Sequence, residues 1–116
     1  MRQVEKLVEQ GLLYDFYGEL LTDHQREVYE NLVYNDMSLN EIADEYGISK
    51  QGVHDLIRRC TAAMEGYEKK LRMIERFRAI KSAAEEIDRV LDTENLSESD
   101  KDELRRLSGL IIEELG

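Results

Sequence analysis

The segment SKQGVHDLIRRC contains closely spaced side chains that could bind a nucleic acid. If the segment is helical, its outer side carries Lys50, Gln51, His54, Asp55 and Arg58. In the major groove of a duplex, glutamine can pair with adenine, and arginine with guanine or a phosphate. The next basic residues, Arg59, Lys69, Lys70 and Arg72, follow along the chain and suit the phosphate backbone, which positions a protein without specifying sequence. We therefore predict nucleic-acid contacts at Lys50, Gln51, His54, Arg58 and Arg59.

Asp55 does not fit this set easily. Its carboxylate could accept a hydrogen bond from a cytosine amino group, but flanking phosphates would repel it. The residue is equally compatible with a motif that docks another protein. Both interpretations of the segment stay open.

The elements that would position these side chains form a helix-turn-helix motif within residues 38–60. The segment from Ser38 to Ile57 reads SLNEIADEYGISKQGVHDLI. Ala43 is small where two helices cross, Gly47 permits a tight turn, and Ile48 closes the corner. Val53 and Leu56 then face back toward the first helix of the motif.

Elsewhere the apolar residues recur at helical spacing, so an all-α fold is expected. Capping boxes begin helices at Thr22 and Ser38. A continuous apolar stripe follows the second helix of the motif as far as Leu91, and Gly66 is the expected interruption. One long helix is therefore predicted from about Gly66 to Leu91. A serine at 97 or 99 begins a final helix. We expect an N-terminal helical domain over 1–65, and over 66–116 a long helix and a C-terminal helix that form a dimerisation element.

Charge along the chain favours the middle block as the phosphate-binding region. The 116 residues carry a formal net charge of −10, with 9 basic and 4 acidic residues at 50–81 but an acidic excess on both sides. The single cysteine cannot form an internal disulfide, and there is no signal-peptide or membrane-spanning pattern. The expected location is the cytoplasm, with no membrane partner.

No other residue pattern predicts catalysis, a metal site or a cofactor. Cys60 lies on an apolar stripe, as a small buried residue would. His24 and His54 lack partners at metal-ligand spacing, and the many carboxylates are typical of solvated helix faces. Tyr14, Phe16, Tyr17 and Tyr34 could stack on bases, but their apolar neighbours favour a place in the core. We expect a protein that is not an enzyme.

The stretch TDHQREVYENLVYNDMSLNEIADEYGISKQGVHDLIRRC resembles region four of bacterial sigma factors. The whole chain resembles the YlxM family, through LLYDFYGELLT, SLNEIADEYGISKQGVHDLIRR and YEKKL, from about Leu12 to Leu71. This resemblance implies a small bacterial cytoplasmic helix-turn-helix protein, encoded beside the signal recognition particle GTPase, with an accessory or regulatory role in that pathway. Beyond Leu71 the similarity is limited to length and charged helical character.

Two classes of function remain. The first is a nucleic-acid-binding regulator or accessory, with DNA or the signal recognition particle RNA as ligand and that particle's proteins as partners. The second is a protein-interaction module that uses the same scaffold without nucleic acid. We also expect a homodimer, because the apolar stripe of the predicted long helix extends beyond what a small core covers.

Overall fold

The computed structural model describes residues 2–116, with side-chain surroundings from Val4 onward. This part of the chain is helical and contains no strand, which confirms the all-α prediction. Its α-helices are α1 (Arg2–Tyr17), α2 (Asp23–Val33), α3 (Leu39–Tyr46), α4 (Lys50–Leu71), α5 (Met73–Leu91) and α6 (Glu98–Leu115), with a 3₁₀ turn at Gly18–Leu20.

The chain forms two compact units, one ending at Arg72 and the other spanning Met73–Gly116. The first contains α1 to α4, and the second contains α5 and α6. The domain boundary expected after residue 65 therefore falls inside α4.

Side-chain caps fix where several helices begin. The side chains of Thr22 and Ser38 accept hydrogen bonds from the backbone amides three residues later. The side chains of Gln25 and Glu41 in turn accept from the backbone amides of the two capping residues, as predicted. Ser97 caps α6 in the same way. Each cap satisfies backbone donors that have no partner within the helix.

Two tyrosines form the centre of the first unit. Tyr17 of α1 and Tyr29 of α2 are 1% and 0% exposed. The Tyr17 hydroxyl donates to Glu68 Oε1 at 2.5 Å, and the Tyr29 hydroxyl lies 2.7 Å from Thr61 Oγ1. The hydroxyl of Thr61 donates to a backbone carbonyl of α4, so Tyr29 is the donor of the second bond. Both tyrosines thus bind α4 through polar atoms as well as through their buried rings.

The apolar side of α4 completes this core. Its buried residues are Val53, Ile57, Cys60 and Met64. Their spacings of four, three and four keep them on one side of the helix, where α4 packs against α1, α2 and α3. The opposite side of α4 is left for solvent.

The prediction of one long helix from Gly66 to Leu91 is wrong. Gly66 lies within α4 without interrupting it, and the chain breaks at Arg72, which has a left-handed backbone with φ of 56°. The apolar spacing continues across this residue, from Leu71 to Ile74, so the sequence pattern does not reveal the break. Two positions of the expected stripe, Leu71 and Phe77, are 47% and 44% exposed.

In the second unit, α5 and α6 pack against each other. The turn between them falls at residues 92–97, where the predicted pattern break occurs. Ala83 and Leu107 are buried, whereas Ile112 and Leu115 near the end of α6 are 67% and 73% exposed. This unit therefore has a small core and an exposed apolar end.

Gly47 and Gly66 should respond oppositely to alanine. Gly47 has a φ of 64°, whereas Gly66 lies in helical backbone, and an added Cβ would meet nothing within 4 Å at either. We expect Gly47→Ala to destabilise the protein by about 1 kcal/mol and Gly66→Ala to stabilise it by about 0.5–1 kcal/mol. Urea unfolding of both variants measures this, and equal effects would contradict the assigned backbone geometry.

Tyr29 should make stability sensitive to alkaline pH. Burial raises the pKa of Tyr29 from 10.0 to about 12. The unfolded chain therefore loses this proton first, and the stabilisation present below pH 10 is lost as the pH rises toward 12, by on the order of 2 kcal/mol. Tyr29→Phe should cost about 1 kcal/mol at pH 7 through its lost hydrogen bond but reduce the alkaline loss. Denaturation at pH 7, 10 and 11.5 checks this, and parallel curves for both proteins would refute it.

Candidate nucleic-acid interface

Helices α3 and α4 and the three residues between them form the predicted helix-turn-helix. Gly47 adopts a left-handed conformation, and the amides of Gly47 and Ile48 both donate to the carbonyl of Ala43. Ser49 then caps α4 by accepting from the amide of Gly52 at 2.9 Å. Ile42 and Val53, both 0% exposed, are the most deeply buried residues of the two helices near this turn. The local sequence thus forms the tight reversal that this motif requires.

Ile48 and Leu56 are less buried than the sequence indicates. Ile48 is 41% exposed and so does not close the corner, and Leu56 is only half-buried. The next residue, Ile57, provides the contact instead at 6% exposed. The register of α4 places Val53 and Ile57, one turn apart, on the packed side.

The start of α4 is electrostatically unusual. Among the six α-helices described over residues 2–116, α4 is the one whose first turn contains no acidic residue. Its first position is Lys50, which adds a positive charge to the positive end of the helix dipole. Such an arrangement costs some helix stability and favours a nearby anion.

All of the predicted contact residues lie on the solvent side of α4. Lys50, Gln51, His54, Arg58 and Arg59 are each exposed. Since the opposite side is buried against the other helices, this face is rigidly supported and accessible along its length. Lys69 and Lys70 lie in the last turn of α4. Arg72 follows the end of the helix and does not continue the face.

Asp55 contacts most of the predicted contact residues. Its Oδ1 accepts from Gln51 Nε2 at 3.1 Å and from Arg58 Nη2 at 3.3 Å, and it lies 4.0 Å from His54 Nδ1. The backbone carbonyl of Asp55 also accepts from Arg59 Nε at 3.4 Å. Asp55 is not among the predicted contact residues, although its spacings of four and three from Gln51 and Arg58 are those of neighbouring residues on a helix.

Other side chains that could be reactive or bind a metal occupy structural positions. Cys60 is 1% exposed, and burial raises the pKa of its thiol, so the reactive thiolate is disfavoured. His24 lies in the first turn of α2, with its ring edge-on to Tyr46. Within the described residues, no three His, Cys, Asp or Glu side chains are grouped as a metal site. None of the helices between residues 2 and 116 has the length and apolar character needed to cross a bilayer.

The aromatic residues belong mainly to the core. Tyr14 and Tyr17 are buried, and the ring of Tyr14 stacks on that of Tyr29 at 5.5 Å. Tyr34 differs from the prediction because it is 55% exposed, with its ring edge-on to Tyr14 and its hydroxyl donating to Asp15. These contacts hold α1 against α2 and explain the tyrosines without bound bases.

Comparison with known proteins supports the motif. The family model described as "Putative helix-turn-helix protein, YlxM / p13 like" matches residues 4–104. A UPF0122 protein of Shouchella clausii is 40% identical over 83% of this chain and 88% of its own. Another, from Acetivibrio thermocellus, is 39% identical over 95% of this chain and 97% of its own. The family description names a helix-turn-helix protein and no enzymatic activity. This chain belongs to the UPF0122 family of YlxM/p13-like helix-turn-helix proteins.

Proposed function

We propose that this chain is a nucleic-acid-binding regulatory protein of the bacterial cytoplasm. The observation that carries the proposal is the solvent face of α4, where Lys50, Gln51, His54, Arg58 and Arg59 are all exposed at the start of the second helix of a helix-turn-helix. In proteins with this motif the second helix enters the major groove, and residues of its N-terminal half contact base edges.

The net charge of −10 does not oppose this function. At physiological salt, charges more than about 8 Å apart are largely screened, so a phosphate responds to its immediate surroundings. The part of α4 from Lys50 to Arg59 is about 14 Å long and carries several cationic groups and one carboxylate. The acidic remainder reduces binding at other faces and thereby limits where nucleic acid is held.

The resemblance to the YlxM family makes the signal recognition particle a candidate binding partner. An accessory of that pathway would bind the particle's RNA or its proteins. A deep, narrow RNA major groove does not admit side chains, so RNA binding through α4 would use phosphates and unpaired bases. Duplex DNA instead suits insertion of α4 into the groove.

One observation favours the alternative, a protein-interaction module. Asp55 lies in the middle of the proposed contact face and pairs with the groups that would otherwise contact bases. A docking protein that carries its own cationic and polar groups would satisfy such a mixed surface. Salt separates the two functions, because phosphate neutralisation makes affinity fall steeply with salt concentration.

Reversing two charges on α4 tests nucleic-acid binding. We expect Arg58→Glu with Arg59→Glu to weaken binding at least about tenfold and to reduce the salt slope by about two, because two phosphate contacts become repulsive. Fluorescence anisotropy over 50–300 mM salt, with a 20-base-pair DNA duplex and the signal recognition particle RNA in parallel, measures both quantities.

The matched control is the other adjacent arginine pair, Arg105 and Arg106 of α6. Both are exposed and form ion pairs three residues apart, as Arg58 does with Asp55. Arg105→Glu with Arg106→Glu makes the same change in net charge outside the motif and should leave affinity within about twofold, because neither arginine belongs to the proposed phosphate contacts. Unchanged affinity in the α4 variant, with helical content preserved, would favour the protein-interaction function.

We further propose that the chain is a homodimer assembled through α5 and α6. The long helix on which the dimer prediction rested does not exist, since α4 and α5 are separate. The second unit still favours a dimer, because its two helices bury few residues and leave Ile112 and Leu115 exposed at 67% and 73%. Units this small rarely have a sufficient core alone, and a twofold copy is the commonest cover.

Light scattering at micromolar concentration should therefore give about twice the chain mass of 13.6 kDa. Ile112→Glu with Leu115→Glu should yield a monomer, because two charges cannot be buried without partners. Val8→Glu, at a position 66% exposed in α1, is the control and should leave the dimer intact. A wild-type monomer that stays in solution would refute the proposed dimer.

A further inference from the structure

The Asp55 carboxylate has two competing effects on the solvent face of α4. It accepts hydrogen bonds from Gln51 one turn before and Arg58 one turn after, at 3.1 and 3.3 Å. Its side chain is 37% exposed, so it faces whatever approaches α4. The same group therefore restrains two contact residues and presents its own negative charge to the ligand.

These restraints are weak enough to be exchanged. Arg58 has a side chain 70% exposed, and ion pairs between exposed groups contribute little to folding stability. A ligand can displace Gln51 and Arg58 from Asp55 if it offers them acceptors. The Asp55 carboxylate then loses both hydrogen-bond donors and lies close to phosphates, which costs binding free energy. Every DNA sequence imposes this cost unless one of its bases donates a hydrogen bond to the carboxylate.

The major groove supplies that donor at particular bases only. Cytosine presents its N4 amino group there, and carboxylates of Asp and Glu accept from it. Adenine also presents an amino group, at N6, but its neighbouring N7 is an acceptor that would oppose the carboxylate, and guanine and thymine present acceptors without an amino donor. A duplex with cytosine opposite Asp55 thus restores a hydrogen bond, whereas the other bases place an acceptor against the charge.

We propose that Asp55 is a specificity-determining residue that penalises binding to duplex DNA in general and is satisfied by cytosine at one position of the site. This inference rests on the proposed nucleic-acid-binding function and narrows it to B-form duplex DNA. Asp55 makes the protein more selective because it disfavours unsuitable duplexes, and it lowers the affinity for duplex DNA in general.

A purely structural role for Asp55 predicts the opposite result. If its main effect were to align Arg58 and Gln51 for binding, removing the charge would disorder both side chains and lower affinity for every duplex. The sign of the change in affinity therefore distinguishes rejection from alignment.

The test compares wild type with Asp55→Asn, and with Asp55→Ser as a second variant, on a fluorescein-labelled pool of random-sequence 20-base-pair duplexes. Asparagine keeps the shape and removes the charge. Both variants should bind the pool at least about fivefold more tightly than wild type, because one repulsive charge near phosphates is lost. Circular dichroism melting should show midpoints within about 2 °C of wild type, since the contacts are exposed.

Glu65→Gln provides the matched control. Glu65 is an exposed carboxylate of the same helix, and ten residues place it about 15 Å beyond Asp55. This variant makes the same change in net charge and should leave affinity for the pool within about twofold, because its distance from the contact residues exceeds the screening length. An increase as large as that of Asp55→Asn would show a general charge effect and overturn the inference.

Sequencing of duplexes selected from the pool provides the second readout. Wild type should enrich cytosine at one position, and Asp55→Asn should lose that preference. Equal or weaker binding by the Asp55 variants, or an unchanged cytosine preference, overturns the inference while wild-type binding upholds the proposed function. If neither wild type nor the variants bind the pool, both the proposed function with DNA and this inference fail.

Discussion

The attachment of α4 to two buried tyrosines is the interaction on which the first unit depends. Tyr17 and Tyr29 come from different helices, and each places its hydroxyl on α4, at Glu68 and Thr61. A buried ring excludes water and supplies apolar contact, while its hydroxyl needs one partner at a defined distance. Together these requirements fix the rotation of α4 about its axis. That rotation decides which residues face solvent, so the tyrosine core determines the composition of the contact face.

The protein separates stability from binding along α4. Val53, Ile57, Cys60 and Met64 pack inward, whereas the polar residues Lys50, Gln51, His54, Arg58 and Arg59 are exposed. Burial of apolar surface stabilises the unit, whereas ion pairs on the outer face contribute little. The outer face is therefore free to carry an unfavourable charge arrangement, including Lys50 at the positive end of the helix dipole. Substitutions there should therefore change folding stability little.

Asp55 gives this surface a character that a count of basic residues does not reveal. The cationic and amide groups around it favour a polyanion, yet the carboxylate at their centre pairs with them when no ligand is present. If nucleic acid binds this face as proposed, it must satisfy the carboxylate as well as the cations, which is a stricter requirement than charge attraction alone.

The sequence by itself determined the all-α fold, the helix starts at Thr22 and Ser38, the turn at Gly47 and the exposure of the residues around Arg58, because each follows from local spacing and capping. It did not determine the break at Arg72. A non-glycine residue with positive φ has no strong local signal, and the apolar spacing continues across Arg72 from Leu71 to Ile74. Spacing indicated that Gln51, Asp55 and Arg58 share a face, but their contacts depend on side-chain conformations. The structure decided those contacts, because helical spacing brings the side chains within reach of one another but does not select their rotamers.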